Sequence, residues 1–274
     1  MNERRMFGRE SLDDALRSIG EQLRAPVTVH LIGGCAMAFM GAKPSTKDID
    51  AVLTSKRDVG VFSAALERTG FHKTRPASLE YQKLGTRAIF RRADNMQFDV
   101  FERIVCRKLE ITERMVSRSR RYAAFGPLEV RLISAEDIFL FKGMTEREGD
   151  LEDMRILAER GLNWDVVKEE CLRQKKRLIW ESFLLDRLVD LERRFGIKSP
   201  IAKELLASAD FELLKVVFRK IVGEGYTTFE EIAGEVSKRL GYSTSWTRKQ
   251  LRGLVKAQAL HSTRSGRRVV YSVK

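Results

Sequence analysis

The chain has 274 residues, 43% of them hydrophobic, and carries 51 Lys and Arg against 38 Asp and Glu, a formal net charge of +13. That length suits one large or two ordinary domains, and the composition is that of a folded globular protein. The longest mostly apolar stretch, 27–42, holds His30 and a Gly pair and is too short to span a bilayer, so no membrane partner is expected.

The charged start, Met1-Asn-Glu-Arg-Arg, has no apolar segment behind it, and the expected location is cytoplasmic. Cys35, Cys106 and Cys171 are far apart and odd in number, as reduced, buried thiols would be. The scattered His30, His72 and His261 suggest no zinc site. A basic balance of this size points to an anionic partner, nucleic acid or nucleotide; a merely solvated Lys/Arg surface is the alternative.

In chain order, Ser11-Leu-Asp-Asp reads as a helix start, with Leu12, Leu16, Ile19 and Leu23 on one face until Pro26 breaks it. A strand over 27–33, a short apolar helix over 34–41 and a strand over 49–53 follow. Residues 57–69 read as an amphipathic helix closed by Gly70. Strands over 86–92 and 96–102 flank an Asp94-Asn95 turn. A short basic helix over 108–117 precedes a hairpin that turns at Gly126-Pro127. From Ser134, an N-cap with acids behind it, the pattern becomes helical: a helix from Ser134, then 150–160, 163–174 and 177–195. Arg193-Arg-Phe-Gly-Ile-Lys-Ser-Pro200 lacks apolar periodicity and marks a domain boundary near residue 196.

The most informative stretch joins Leu31-Ile-Gly33-Gly34 to Thr46-Lys-Asp48-Ile-Asp50. Alternate side chains of a strand share a face, so Asp48 and Asp50 project side by side. Such crowding is costly unless a cation sits between them, and an all-carboxylate site suits Mg²⁺ or Mn²⁺. Gly33 and Gly34 allow a close backbone approach to a ligand. Taken separately, a Gly pair before a helix is usually a tight turn, and Asp-x-Asp is often a solvated strand edge.

Together, at this spacing, the two resemble the signature of the DNA polymerase β nucleotidyltransferase superfamily. The resemblance implies a third carboxylate on a later strand. Asp99, inside the apolar run Met96-Gln-Phe-Asp-Val-Phe, is the candidate, and Asp94 the alternative. A second run, Lys142…Arg147-x-x-Asp150-x-x-Asp153, resembles a conserved region of abortive-infection-type nucleotidyltransferase toxins and related prokaryotic nucleotidyltransferases. Residues three apart share a helix face, and a salt-bridge network joining two helices is the structural alternative.

The resemblance, covering about residues 25–160, implies transfer of a nucleoside monophosphate from an NTP to an acceptor, RNA or another polyanion being favoured by the charge. It implies Asp48, Asp50 and Asp99 as metal ligands and, with Lys142, as catalytic residues. It implies nucleotide contacts from Gly33, Gly34, Thr46, Lys142 and Asp150. The expected fold is an α/β (α+β) nucleotidyltransferase domain with a helical appendage over 1–196. A further basic cluster, Arg114, Arg118, Arg120 and Arg121, reads either as a groove for RNA or triphosphate or as a solvated helix end.

Residues 197–274 read as helix (211–222), helix (from Thr228), basic helix (246–257) and hairpin, an order that resembles a winged helix-turn-helix domain. From Ser243 to Lys274 there are eight Lys and Arg and no acid. Arg248, Lys249 and Arg252 on the third helix, and Arg264, Arg267 and Arg268 on the wing, are the nucleic-acid-binding candidates, with DNA as partner. An interaction or dimerisation module is the alternative, and a homo-oligomer is compatible with the sequence. Two rivals to the enzyme stand beside it: a catalytically inactive DNA-binding regulator on the same fold, and a toxin–antitoxin component repressing its own operon.

Overall fold

The computed structural model describes residues 5–74, 88–105, 109–145, 147–174, 177–266 and 268–273. The chain divides into two compact units, Met1–Ala202 and Lys203–Lys274, a few residues beyond the break expected near 196. The protein is mixed α/β, and among the described residues no helix is long and apolar enough to cross a membrane.

The first unit is built on a mixed sheet. In chain order its elements begin with β1 (Phe7–Gly8), α1 (Arg9–Gln22), β2 (Val27–Ile32), α2 (Gly33–Phe39), β3 (Ser45–Thr46), β4 (Ile49–Leu53) and α3 (Lys56–Arg68). There follow β5 (His72–Thr74), β6 (Ala88–Arg91), β7 (Gln97–Glu102), β8 (Ile104–Val105), β9 (Leu109–Glu110), α4 (Glu113–Arg118), β10 (Arg120–Phe125) and β11 (Leu128–Leu132). The described strands of the main sheet run in the order β10-β11-β2-β4-β7-β6-β5. The pairs β11–β2 and β4–β7 are parallel and the others antiparallel.

The central strands β2, β4 and β7 are buried over most of their length, as strands covered on both faces must be. On one face Phe98 of β7 meets Phe62 of α3 and Phe71 edge-on, at centroid distances of 6.0 and 5.2 Å. Side chains alternate along β7, so Asp99 and Phe101 point the other way. That second face carries the site.

The helical appendage is α5 (Ala135–Lys142), α6 (Glu148–Glu159), α7 (Trp164–Arg173) and α8 (Arg177–Phe195). Ser134 caps α5 by accepting from the Asp137 amide, as expected. Three local expectations shift. Helix α1 begins at Arg9 behind Gly8, so Ser11 lies within it and caps nothing, although Leu12, Leu16, Ile19 and Leu23 are all buried. The basic helix is shorter, because Leu109–Glu110 pairs with Ile104–Val105 as strand and Thr112 caps what remains. Cys35 and Cys171 are buried free thiols, and Cys106 lies outside the described residues.

The second unit is α9 (Ala202–Gly223), α10 (Phe229–Leu240), α11 (Thr244–Lys256) and a hairpin of β12 (His261–Ser265) and β13 (Arg268–Ser272). Helix α9 begins well before the expected residue 211. Thr228 and Glu231 form a capping box at the start of α10, and Gly241 closes it in the left-handed conformation. Ser243 caps α11. Phe218, Ile221, Val222, Ile232, Val236, Leu251, Leu254 and Leu260 form the core. The hairpin is tied back: Thr228 bridges Val270, and the Tyr271 amide donates to the Thr227 carbonyl.

Candidate functional site

Parallel pairing of β4 with β7 places Asp50 directly opposite Asp99. Direct partners in adjacent strands point to the same face, so two carboxylates separated by half a hundred residues of chain become neighbours. Asp48 stands one residue before β4, and its carbonyl accepts from the Thr46 hydroxyl at 3.0 Å. Asp99 is 3% exposed, and its Oδ1 accepts from the Gln97 amide at 2.7 Å. Burial, then the charges of Asp48 and Asp99, push the Asp50 carboxyl well above the usual carboxylate range, while Lys142 and Arg147 pull it back.

The Gly pair closes this arrangement from the β2 side. Ile32 is the β2 partner of Asp50, and the next residue, Gly33, turns the chain at φ +62°. A Cβ at Gly33 would collide with the Asp50 carboxylate, and one at Gly34 would come within 2.8 Å of the Thr46 hydroxyl. Both glycines are therefore required by close packing against the acids and Thr46.

A cavity of about 300 Å³ opens over these groups. Gly34, Thr46, Asp48, Asp50, Asp99, Lys142, Arg147, Asp150 and Asp153 all line it. The two constellations, distant in sequence, thus meet on one concave surface. On its far wall, Lys142 Nζ reaches Asp150 at 2.5 Å and Asp153 at 2.8 Å. Asp153 also receives Lys43 at 2.5 Å. Asp150 also takes Arg147 Nε at 2.8 Å and the Thr145 hydroxyl. The two carboxylates hold Lys142 protonated and raise its pKa in spite of burial. Asp150 and Asp153 are 4% and 2% exposed. Asp150 is thus the anchor of a network that includes Lys142.

Asp94 lies apart from the cavity. It sits on the β6–β7 turn, held by Arg92 at 2.8 Å, and the hydrogen bond from Arg92 keeps its carboxyl below the usual range. The register of β7 leaves Asp99 as the third acid of the group. Arg118 is committed to Asp137 at 2.6 Å and to Glu170 at 3.1 Å, and Arg114 to Glu169 at 2.9 Å. These two arginines brace α4 against the appendage, while Arg120 and Arg121 are exposed on β10.

Sequence reasoning missed Lys43 and Gln97, and Lys47, which also lines the cavity. Gln97 was within reach, because it lies two residues before Asp99 on the same strand face. Lys43 follows a short helix with no periodicity, and nothing local pointed to its pairing with Asp153.

Among the described residues, no group of three or more His, Cys, Asp or Glu is gathered closely enough to hold a metal ion. Asp48, Asp50 and Asp99 are nevertheless oxygen donors lining one cavity, and Asp50 feels the charges of the other two. Carboxylate oxygens are the donors that a hard divalent cation takes.

In the second unit, Arg248, Lys249 and Arg252 are exposed along α11, and Arg264 and Arg268 on the hairpin. Arg267 lies outside the described residues. The Arg248 guanidinium lies 4.1 Å from the centre of the Phe229 ring. Tyr242 stacks on Trp246 at 3.9 Å at the entry to α11. Among the described residues, the ion pairs of this unit join Lys215 to Glu212, Arg239 to Glu224 and Glu235, and Lys238 to Glu235.

Compared with known proteins, the chain matches no family model and no curated sequence.

Proposed function

We propose that the first unit is a nucleotidyltransferase that moves a nucleoside monophosphate from an NTP to the hydroxyl of an acceptor. The observation that carries the reading is the register of Asp50 with Asp99, beside Asp48 and against the Gly33-Gly34 backbone, on the floor of a cavity walled by Lys142 and Arg147. Asp48, Asp50 and Asp99 would hold Mg²⁺ or Mn²⁺, which when bound would offset triphosphate charge and promote attack by the hydroxyl.

In this reading the acceptor oxygen bonds to the α-phosphorus, the bond to the bridging oxygen breaks, and pyrophosphate leaves. Asp99, oriented by Gln97, takes the acceptor proton. Gly34 and Thr46 approach the phosphates from the β2–β4 side. Lys142 lends positive charge from within its ion network. The basic charge of the chain favours RNA or another polyanion as acceptor.

For the second unit, three helices in succession and a hairpin tied back through the isolated Thr228–Val270 bridge support the winged helix-turn-helix reading, in which α11 would enter the DNA major groove. A regulator without catalysis remains the second reading, supported by the exposed basic face of α11.

Incubation with each α-labelled NTP, Mg²⁺ or Mn²⁺, and total RNA separates the two. The enzyme transfers label to an acceptor, and Asp50→Asn abolishes transfer. Absence of transfer and of pyrophosphate release with every NTP and either metal would leave the regulator.

A further inference from the structure

Gln97 is 2% exposed and lies two residues before Asp99 on β7, so the two side chains share the sheet face that carries the site. Ile89, the β6 partner of Asp99, is apolar and donates nothing to it. The β6 residue two positions on, Arg91, is the direct partner of Gln97 and stands on the same face. The Arg91 guanidinium donates to Gln97 Oε1 at 2.7 Å, and Gln97 Nε2 donates to Asp99 Oδ1 at 2.7 Å. Three side chains on two strands thus form one line of hydrogen bonds that starts near the β6–β7 turn and ends in the cavity.

The line has a direction. A guanidinium only donates, so it holds the carbonyl end of Gln97 and leaves the amide nitrogen to face the carboxylate. A carbonyl that accepts from a cation also makes the same amide a stronger donor at its other end. Without Arg91, Oε1 would be a buried acceptor that has lost its donor, and the amide would no longer be held in one sense. Holding Oδ1 of Asp99 sets the plane of its carboxylate, and with it the position of Oδ2. Arg91 itself is half-buried and lies outside the cavity lining, so it touches the site through Gln97.

We propose that Arg91 is a positioning residue: it locks the Gln97 amide, which in turn locks the Asp99 carboxylate in the geometry the transfer reaction needs. This inference rests on the nucleotidyltransferase reading of the cavity.

The full chain tests it with Arg91→Met, which keeps the aliphatic stem, Arg91→Lys, which keeps a donor, and Gln97→Leu. In the label-transfer assay Arg91→Met should lower kcat by about 10–100-fold, the loss typical of a group that orients a site carboxylate from behind. KM for the NTP should change little, and Arg91→Lys should recover most of kcat. Gln97→Leu should match Arg91→Met, and the double variant should be no worse than either single, because both break one line. Binding of Mn²⁺ alone, read by electron paramagnetic resonance, is the second readout: both single variants should weaken it in step, short of the loss in Asp99→Asn, with the circular dichroism spectrum retained. Unaltered kcat and Mn²⁺ affinity in the two variants, or losses that simply add in the double variant, would overturn the role of Arg91 and leave the transferase reading intact. A parent that binds Mn²⁺ but transfers no label would remove the transferase reading and with it the role of Arg91 in transfer. A parent that does neither would overturn both.

Discussion

Replacing Lys142 with methionine separates a structural cation from a phosphate-binding one. The Lys142 side chain is 13% exposed, and its ammonium lies between two carboxylates at 2.5 and 2.8 Å. Removing one partner of a buried ion pair costs about 3–5 kcal/mol, because it leaves an uncompensated charge inside the protein. Here the acids are not abandoned: Asp150 keeps Arg147 and Thr145, and Asp153 keeps Lys43. The loss should therefore fall at the low end, about 3 kcal/mol. At about 2–4 °C per kcal/mol for a unit of this size, the melting temperature should drop by about 6–12 °C. Differential scanning calorimetry reads that drop, and titration with tripolyphosphate reads the binding. Lys142→Met with Asp150→Asn should recover much of the lost stability. A variant that melts like the parent would refute the ion-network argument, because two buried carboxylates cannot lose a shared cation without cost.

Acid stability should depend on His30, which is 2% exposed on β2 and whose Nδ1 has no hydrogen-bond partner. Burial, then Arg131, lowers its pKa from 6.5 to about 4. The unfolded chain binds the proton first, so stability is intact above pH 6.5 and falls as the pH drops towards 4, by about 3 kcal/mol at about 1.4 kcal/mol per pH unit. His30→Leu should flatten that limb in urea titrations run from pH 7 to 4; an unchanged limb would assign the acid loss to other groups. Gly33→Ala should lower stability and nucleotide binding together, since it meets both a positive φ and the Asp50 carboxylate; normal binding in the variant would remove Gly33 from the site. On duplex DNA, Arg264→Ala with Arg268→Ala should flatten the slope of log affinity against log salt by about 0.9 per lost phosphate contact. Arg252→Ala should instead cost about 1–3 kcal/mol on a preferred sequence. Anisotropy titrations distinguish these two patterns, and no salt-dependent binding at all would make the second unit an interaction module.

What the sequence reveals is what the chain encodes locally. The caps at Ser134 and Thr228, the Gly126-Pro127 turn and the Gly33-Gly34 bend are set by a few adjacent residues, and they are where the spacing put them. The start of α1 was misplaced because a capping signal at Ser11 competes with Gly8, which β1 pairing fixes through Gly8 and Ser45. Helix α9 extends back to Ala202 because Lys-Glu-Leu-Leu-Ala continues good helical residues past the point where an apolar face is recognisable. The ion network is half legible. Arg147, Asp150 and Asp153 share a helical face by spacing, but Lys43 reaches Asp153 across 110 residues, a contact that tertiary folding alone creates.

The register of β4 against β7 also governs how such a chain can change over time. Between Leu53 and Gln97 the described elements are α3, β5 and β6. A change of chain length between them need not move Asp99 relative to Asp50, because the two are joined by a ladder and not by a count of residues. A slip of one residue in that ladder is a different matter. It would bring Phe98 into the cavity and bury Asp99 against Phe62 and Phe71, exchanging a charge for a ring on both faces at once. Insertions between the second and third acids should therefore be tolerated better than single-residue deletions within β7. A motif of fixed spacing can therefore describe the first two acids and must fail for the third.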